Sequence, residues 1–181
     1  MIPSYALQFD SSGRVAGVHQ WADSSAMSLA PNEIECSFEQ FQTSNLYKVQ
    51  NGTIAPILEN YRASQSALIA SSAQAAQEAP LSFTNAAGIS GLYSMDSHSW
   101  TKYLAEWTEY VGLKEPLPNN NGTTATFYTA MGAPVEFTLA DIVNFYKLGK
   151  AQVKAALAKQ ATLLAQIQAA TTTAAVRSIV W

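Results

Sequence analysis

Thr126-Phe127-Tyr128-Thr129-Ala130-Met131-Gly132-Ala133-Pro134-Val135-Glu136-Phe137, followed directly by Thr138-Leu139-Ala140-Asp141, is the stretch that decides the fold class. Two short extended runs, 126–130 and 134–137, flank a turn that contains Gly132, which is typical of a β-hairpin. The four residues that follow form a helix-capping sequence and open a long helix that runs to about Ala170. A hairpin that leads straight into a long helix predicts an α+β fold.

The long helix has one recognisable apolar side. Its members recur at helical spacing and are Ile142, Tyr146, Gly149, Val153, Ala156, Leu163 and Ile167. The Thr171-Thr172-Thr173 break then permits one last short turn before the chain ends at Trp181.

Upstream of the hairpin, residues 81–93 form a turn-rich segment that is compatible with a further short hairpin. Ser97 or Ser99 is expected to cap the helix that follows. Its apolar residues share one face and are Trp100, Leu104, Trp107 and Val111. Together, residues 81–181 are predicted to form a mainly α-helical C-terminal domain with one short β-hairpin.

Residues 56–80 are predicted to form an Ala/Ser-rich connector helix, which Pro80 ends. Its thin apolar stripe steps by near-heptad intervals through Ile57, Tyr61, Leu68, Ala75 and Ala79. Small residues allow close approach of helices, so this helix either packs on its own domain or joins a bundle of identical chains. A homo-oligomer is therefore one expectation.

Residues 1–55 alternate short apolar and polar runs with turn signals, which predicts a small N-terminal antiparallel β meander for docking. Strands are expected at 5–9 and 14–21, joined as a hairpin and followed by a Ser-rich loop. The next elements are a short extended piece at 32–36, a helical turn capped by Ser37 with Gln40 at its third position, and a hairpin around Asn51-Gly52.

The composition indicates a protein that is covered by partners. Hydrophobic residues make up 48% and charged residues only 13%, whereas about 25% is usual for charged residues. The net charge of -3 argues against nucleic-acid binding, which needs clustered Lys and Arg. The nearest approach to a cluster is expected to be a solvated helix face, formed by Lys147, Lys150, Lys154 and Lys159.

Membrane and secretion signals are not expected. No stretch approaches the roughly 20 apolar residues of a membrane span, and the beginning of the chain lacks the basic residues and apolar run of a secretion signal. The single Cys36 excludes an internal disulfide and is expected to be a small core residue.

The sequence contains no pattern typical of a catalytic, cofactor-binding or metal site, so a non-enzymatic protein is expected. His19 and His98 carry no surrounding motif, and a thiol-histidine pair with Cys36 lacks a flanking pattern. Glu33 and Glu35 alternate on one side of an extended stretch, which suits the wet face of a strand rather than an acid-base pair. The four tryptophans and eight tyrosines could form a sugar-binding platform, although aromatic residues at helical spacing are more often core.

Several stretches, in order, carry a resemblance to a known family. They are Ser82-Phe83-Thr84 with Ala86-Ala87-Gly88, then Tyr93 and Asp96, then Phe127-Tyr128 leading into Val135 to Asp141, and the ending Ile167-Gln168-Ala169-Ala170-Thr171-Thr172 with Ala174-Ala175-Val176 and Ile179-Val180-Trp181. This segment resembles the uncharacterised C-terminal domain that recurs in tailed-phage tail fibre and tail fibre assembly proteins. The N-terminal hairpins are similar, more loosely, to the leading modules of fibre assembly proteins.

The resemblance implies a phage setting and protein partners, and it brings no catalytic residues. The first expectation is a fibre-associated structural or adaptor protein of the virion tail, made in the bacterial host cytoplasm, whose partners are tail or tail fibre proteins. The alternatives are a tail fibre assembly chaperone and a host-glycan receptor-binding module that uses exposed aromatic residues such as Trp21.

Overall fold

The computed structural model describes residues 3–24 and 27–181, so part of the predicted Ser-rich loop lies outside the described residues. The chain is 46% helix and 25% strand, with several small antiparallel sheets, which confirms the predicted α+β class. By internal contacts it divides into two compact units. One contains the residues up to Leu68 together with Leu163–Val180, and the other contains Ile69–Thr162 with Trp181. The predicted division of the chain into a β module (1–55), a connector helix (56–80) and a C-terminal domain (81–181) stays a prediction.

The first unit begins with a three-stranded antiparallel sheet. Strands β1 (Ser4–Phe9), β2 (Val15–Trp21) and β3 (Glu33–Cys36) lie in the order β2-β1-β3. Ala6 and Leu7 of the central strand are both fully buried, although they point to opposite faces of the sheet. Both faces of β1 are therefore covered, as a sheet this small requires.

A short helix and a second hairpin complete the β-rich part of this unit. Helix α1 (Phe38–Gln42) has the predicted capping box, in which the Ser37 side chain accepts from the Gln40 N–H and the Gln40 side chain accepts from the Ser37 N–H. Strands β4 (Tyr47–Gln50) and β5 (Thr53–Pro56) pair around Asn51 and Gly52. Both turn residues have positive φ, as the tight hairpin turn needs.

The end of the chain returns to the first unit. After the Thr171-Thr172-Thr173 break, helix α5 (Thr173–Arg177) forms the predicted short turn, capped by Thr172. Arg62 and Gln65 belong to helix α2 (Leu58–Glu78), and their side chains donate to the carbonyl oxygens of Ala170 and Ile179. Hydrogen bonds to backbone oxygens thus hold this segment, together with the fully buried side chain of Val176.

The second unit contains two hairpins and the larger core. Strands β6 (Leu81–Thr84) and β7 (Ser90–Tyr93) form one hairpin, and β8 (Thr124–Tyr128) and β9 (Pro134–Thr138) form the other. Residues 81–181 therefore contain both hairpins considered from the sequence. Helix α3 (Ser97–Trp107) ends in a π-helical turn, Thr108–Gly112, and helix α4 (Leu139–Ala169) follows β9.

Aromatic rings fill this core. Phe127 and Phe137 face each other across the β8–β9 hairpin and stack at 4.4 Å between ring centroids. Phe145 of α4 meets the edges or faces of its neighbours at near right angles, with centroid distances of 5.6 Å to Phe137 and 5.1 Å to Tyr93. The predicted capping sequence of α4 is confirmed, because Asp141 accepts from the N–H and hydroxyl of Thr138.

Three predicted details of the helices are wrong. The α2 stripe does not pass through Leu68, Ala75 and Ala79, which are exposed, because the buried positions Tyr61, Ile69 and Ala73 are spaced by eight and four residues. The N-cap of α3 is neither Ser97 nor Ser99. It is Asp96, whose carboxylate accepts from two backbone N–H groups of the first turn. On the same helix Leu104 is exposed, and Tyr103 packs against the core in its place.

Candidate functional site

Strand β8 pairs with β9 along one edge. The direction of its backbone N–H and C=O groups, which alternates along the strand, shows which residues present these groups at the other edge. The N–H of Thr129 donates to the Ala133 carbonyl at 2.9 Å, which places the odd-numbered residues of β8 in the hydrogen-bonded positions of the ladder. Glu136, opposite Thr126, directs its carbonyl away from β8 and accepts from the Asn85 side chain. The even-numbered residues of β8 therefore direct their N–H and C=O groups away from β9.

This outward edge is closed at both ends. At one end, Thr124 and Asn119 exchange backbone hydrogen bonds of 3.2 and 2.8 Å. At the other end, just past the strand, the Ala130 N–H donates to the Leu92 carbonyl at 2.7 Å. Between them, the outward N–H and C=O groups of Thr126 and Tyr128 have no hydrogen-bond partner in the part of the chain that the structure describes. We call these four groups the open edge of β8.

The open edge lies in a groove of about 660 Å³ within the second unit. One wall of the groove is residues 126–130, and the opposite wall is the side of α3 that carries Ser99, Lys102, Tyr103 and Glu106. Its floor includes a ring pair, since Tyr103 stacks on Phe127 at 5.7 Å between centroids with an angle of 14°. Helix α3 thus stands beside the strand edge without bonding to its backbone.

Asp96 organises the rim of the groove where α3 begins. Its carboxylate accepts from the hydroxyls of Ser94 and Ser99 at 2.5 and 2.8 Å, and from the backbone N–H groups of His98 and Ser99. These hydrogen bonds, the Ser94 hydroxyl first, hold the pKa of Asp96 well below its usual range. The residue is a charged helix cap that fixes the rim.

The α3 wall carries little net charge. Lys102 is exposed, and Glu106 lies one turn further along the same helix, half-buried. Burial raises the pKa of Glu106, with a hydrogen bond from Tyr110 acting in the opposite direction. Burial also raises the pKa of Tyr103. The wall is therefore suited to an uncharged occupant rather than to a phosphate or another strong anion.

The residues that the sequence singled out for chemistry lie elsewhere. His19 and Cys36 occupy opposite faces of the β2-β1-β3 sheet, because His19 lies opposite Ala6 and Cys36 lies opposite Tyr5. Cys36 is buried, as predicted. His98 is exposed in the first turn of α3.

The expectation that Glu33 lies on a wet strand face is wrong. Its side chain is only 3% exposed, because His19 contacts it from the other outer strand of the sheet at 2.5 Å. Glu33 lies opposite Gln8 and His19 lies opposite Ala6, so the contact runs diagonally over the central strand, beside the small side chain of Ala6. Glu33 also accepts from the Ala30 N–H. Glu35, on the same side of β3, is exposed as predicted.

The aromatic residues mostly pack inside the units. Trp100 and Trp107 both stack on Tyr146, at 5.3 and 4.9 Å between centroids. Trp181 lies beneath the ammonium group of Lys159, 4.6 Å from it. Trp21 is half-buried in β2. The predicted lysine face of α4 is confirmed, since Lys147, Lys150, Lys154 and Lys159 are all exposed.

Residues 3–24 and 27–181 contain neither a metal-ligand cluster nor a helix able to span a membrane. No three His, Cys, Asp or Glu side chains there are grouped closely enough to hold a metal ion. None of the helices in this part of the chain combines the length and the apolar character that crossing a membrane requires.

No protein-family model, no curated protein and no solved structure matches this chain. The resemblance to phage fibre proteins therefore stays a prediction from the sequence. The open edge was not predicted, although Pro134 was a signal for it. Proline cannot donate to a ladder, so the residue opposite it, Tyr128, belongs to the positions whose backbone groups point outward.

Proposed function

We propose that this chain is a non-enzymatic, fibre-associated structural or adaptor protein of a phage tail. In this proposal it is made in the host cytoplasm and binds tail or tail fibre proteins in the virion. The phage setting comes from the resemblance of residues 81–181, and the binding role comes from the second unit.

The open edge of β8 is the observation that carries the binding role. Unpaired N–H and C=O groups at a strand edge are a template for another chain, and folded proteins usually cover or pair them. Here the edge is bonded at Thr124 and Ala130, whereas Thr126 and Tyr128, inside a groove, find no backbone partner among residues 3–24 and 27–181. An unpaired stretch of three residues between two bonded positions supports the recognition of a short strand from another protein.

Exposed apolar side chains beside the groove support the same role. Met131 at the tip of the β8–β9 hairpin is 92% exposed, and Tyr128 and Leu92 are more than half exposed. Apolar side chains grouped near a polar docking edge are typical of surfaces that a partner covers. The low charge of the chain favours such covering as well.

Mass spectrometry of purified virions is the test of the tail proposal. The chain is expected in mature particles at a fixed ratio to a tail protein, and cross-linking of intact particles is expected to join it to a tail or fibre protein. Its absence from particles would contradict the virion role.

The open edge also suits a tail fibre assembly chaperone, because a segment of the folding fibre would then occupy the strand edge for a limited time only. In that case the chain would be missing from virions, and its co-expression would raise the yield of soluble, correctly assembled fibre. Unchanged fibre yield together with absence from particles would contradict both roles.

A further inference from the structure

Resting on the proposed function, we propose that the groove between α3 and β8 binds an extended, uncharged segment of the partner protein, which adds to β8 as a strand. The open edge presents two donors and two acceptors on alternate residues, Thr126 and Tyr128. Alternate residues of a strand are about 6.6–6.8 Å apart, and only another extended backbone repeats donors and acceptors at that spacing. The chemistry of the edge thus selects a polypeptide strand.

The closed ends of the edge set the length of this strand. The Asn119–Thr124 bridge and the Ala130–Leu92 hydrogen bond leave two residues of β8 available between them. A strand that pairs with both would form four backbone hydrogen bonds, which calls for a core of three residues with a flanking residue on either side. Because the partner must donate in turn, proline is excluded from its pairing positions.

The groove has room for one strand and not for a second copy of this chain. Its volume, about 660 Å³, lies in the usual range for ligand pockets of about 300–1,000 Å³. A second copy pairing through its own Thr126 and Tyr128 would bring its α3 to the same side of the edge. On the α3 wall Lys102 and Glu106 lie one turn apart, and the Asp96 carboxylate at the rim already accepts four hydrogen bonds, so the groove favours a segment without net charge.

Side-chain contacts extend the recognition beyond the backbone. Residues of the added strand would alternate between the two faces of the hairpin. On one face lie Phe127 and the Tyr103 ring that stacks on it, so an apolar side chain fits there. On the other face lie Thr126 and the exposed ring of Tyr128. This alternation predicts an apolar residue flanked by small or polar ones.

Tyr128→Pro tests the strand addition, and Tyr128→Ala is its matched control. Both variants remove the exposed ring, but only proline removes the outward N–H. The ladder with β9 does not use that N–H, and residue 127 is already extended, so the fold should accept proline. The probe is a library of random linear peptides selected on the full chain, with binding measured by calorimetry.

The Tyr128→Ala variant measures the contribution of the ring, since it keeps the outward N–H. Selected peptides should bind the Tyr128→Pro variant about tenfold more weakly than the Tyr128→Ala variant, or worse, because one peptide carbonyl loses its donor. Failure to select any peptide, or equal binding to the Tyr128→Pro and Tyr128→Ala variants, would overturn the proposal. So would a wild-type dimer that Tyr128→Pro converts to a monomer, since a second copy would then be the occupant.

Amide hydrogen exchange on the wild type keeps the test independent of whether the proline variant folds. Adding a selected peptide should slow exchange at Thr126 and Tyr128, and unchanged exchange at both would contradict strand addition. The outcomes that contradict strand addition differ from those that contradict the proposed tail function. If the chain is in virions and its cross-linked tail partner binds the Tyr128→Pro and Tyr128→Ala variants equally, the function stands and the strand addition is wrong.

Discussion

The backbone N–H of Ala130 donates to the carbonyl oxygen of Leu92 at 2.7 Å, and this bond sets the limit of the open edge of β8. It joins the end of the β8–β9 hairpin to β7, a strand of the other hairpin in the same unit. The N–H groups of Thr126 and Tyr128 point to the same side of the strand as that of Ala130. If β7 continued alongside β8, these N–H groups would therefore be hydrogen-bonded in the same way.

Amide exchange of the free protein should alternate along this strand. The N–H groups of Phe127 and Thr129 bond to β9 and its turn, and that of Ala130 bonds to Leu92, so these three amides should be protected. The amides of Thr126 and Tyr128 should exchange about tenfold faster or more, since they have no partner among the described residues. Exchange measured by NMR at neutral pH gives each rate separately.

The alternation has its own internal control, because protected and unprotected amides sit next to each other on one strand. Equal protection at Tyr128 and Phe127 would mean that the edge is closed in solution, and it would contradict both the groove geometry and the proposed docking site.

Much of this fold could be predicted because its signals are local. The Asn51-Gly52 turn, the Ser37 capping box and the Thr138–Asp141 cap each depend on residues within four positions of one another. The wrong predictions concern residues whose position depends on contacts with distant parts of the chain or on a choice between neighbouring residues. Asp96 was preferred to Ser97 and Ser99 as the α3 cap because its carboxylate also accepts from the Ser94 hydroxyl. Glu33 was buried by His19, a residue from another strand.

The candidate site could not be predicted in the same way, because it depends on which strands do not pair. Sequence patterns identify β8 and β7 as strands but do not show that, among the described residues, a single backbone hydrogen bond, from Ala130 to Leu92, joins the two hairpins along this edge. The distance between α3 and β8 depends on Tyr103 and Phe127, which are 24 positions apart in the chain. A groove of this kind is a property of tertiary packing.

Asp96→Asn should make the protein less stable at neutral pH. It should also reduce the amount of stability that the protein loses when the solution is acidified. The pKa of Asp96 is lowered by hydrogen bonds, so its ionised form stabilises the fold above the usual aspartate pKa of about 3.9. That stabilisation is lost as the pH falls from about 4 through the lowered pKa. Asparagine still caps the helix but has no charge to lose. Urea unfolding at pH 7 and pH 3 should therefore show the wild type and the variant converging in acid.

Glu115→Gln is the control for this experiment, because Glu115 is exposed and its side chain has no hydrogen bond among the described residues. Its urea midpoint should stay close to that of the wild type at both pH values. If the Asp96→Asn variant kept the full acid sensitivity of the wild type, the lowered pKa would not be the source of that sensitivity.

The wild type should lose folding stability in alkali as Tyr61 ionises, and the Tyr61→Phe variant should not show this loss. The Tyr61 hydroxyl hydrogen-bonds to the Tyr47 hydroxyl at 2.7 Å, and burial with this bond raises the pKa of Tyr61 to about 12. Since the ordinary pKa is about 10, the neutral form stabilises the fold below pH 10, and this contribution is lost as the pH rises from about 10 to about 12. At neutral pH the variant should lose about 0.5–1.5 kcal/mol with the hydrogen bond.

Ultraviolet titration of the tyrosines measures this directly. The wild type should contain a tyrosine that ionises near pH 12, and the step should disappear in the Tyr61→Phe variant but remain in Tyr128→Phe, which alters an exposed ring. A late step that survives Tyr61→Phe would assign the raised pKa to another tyrosine.

Gly149→Ala should destabilise the second unit even though alanine favours helices by about 0.5–1 kcal/mol. A Cβ at Gly149 would lie 2.6 Å from Cζ3 of Trp100 and 2.9 Å from Cε of Met95. Trp100 is held by its stack on Tyr146, so relief of the clash must disturb that ring pair. Overpacking of this kind costs about 1–3 kcal/mol, and we expect a net loss of about 1–2 kcal/mol with altered tryptophan fluorescence.

Gly112→Ala is the matched control, because a Cβ there would meet no atom closer than the Thr108 methyl at 3.9 Å. That variant should be neutral or slightly more stable, through the reduced freedom of the unfolded chain. Thermal unfolding followed by tryptophan fluorescence separates the two. Equal stability of the two variants would mean that α4 moves freely away from Trp100, and that the close approach of helix and ring at Gly149 contributes nothing to the packing of the core.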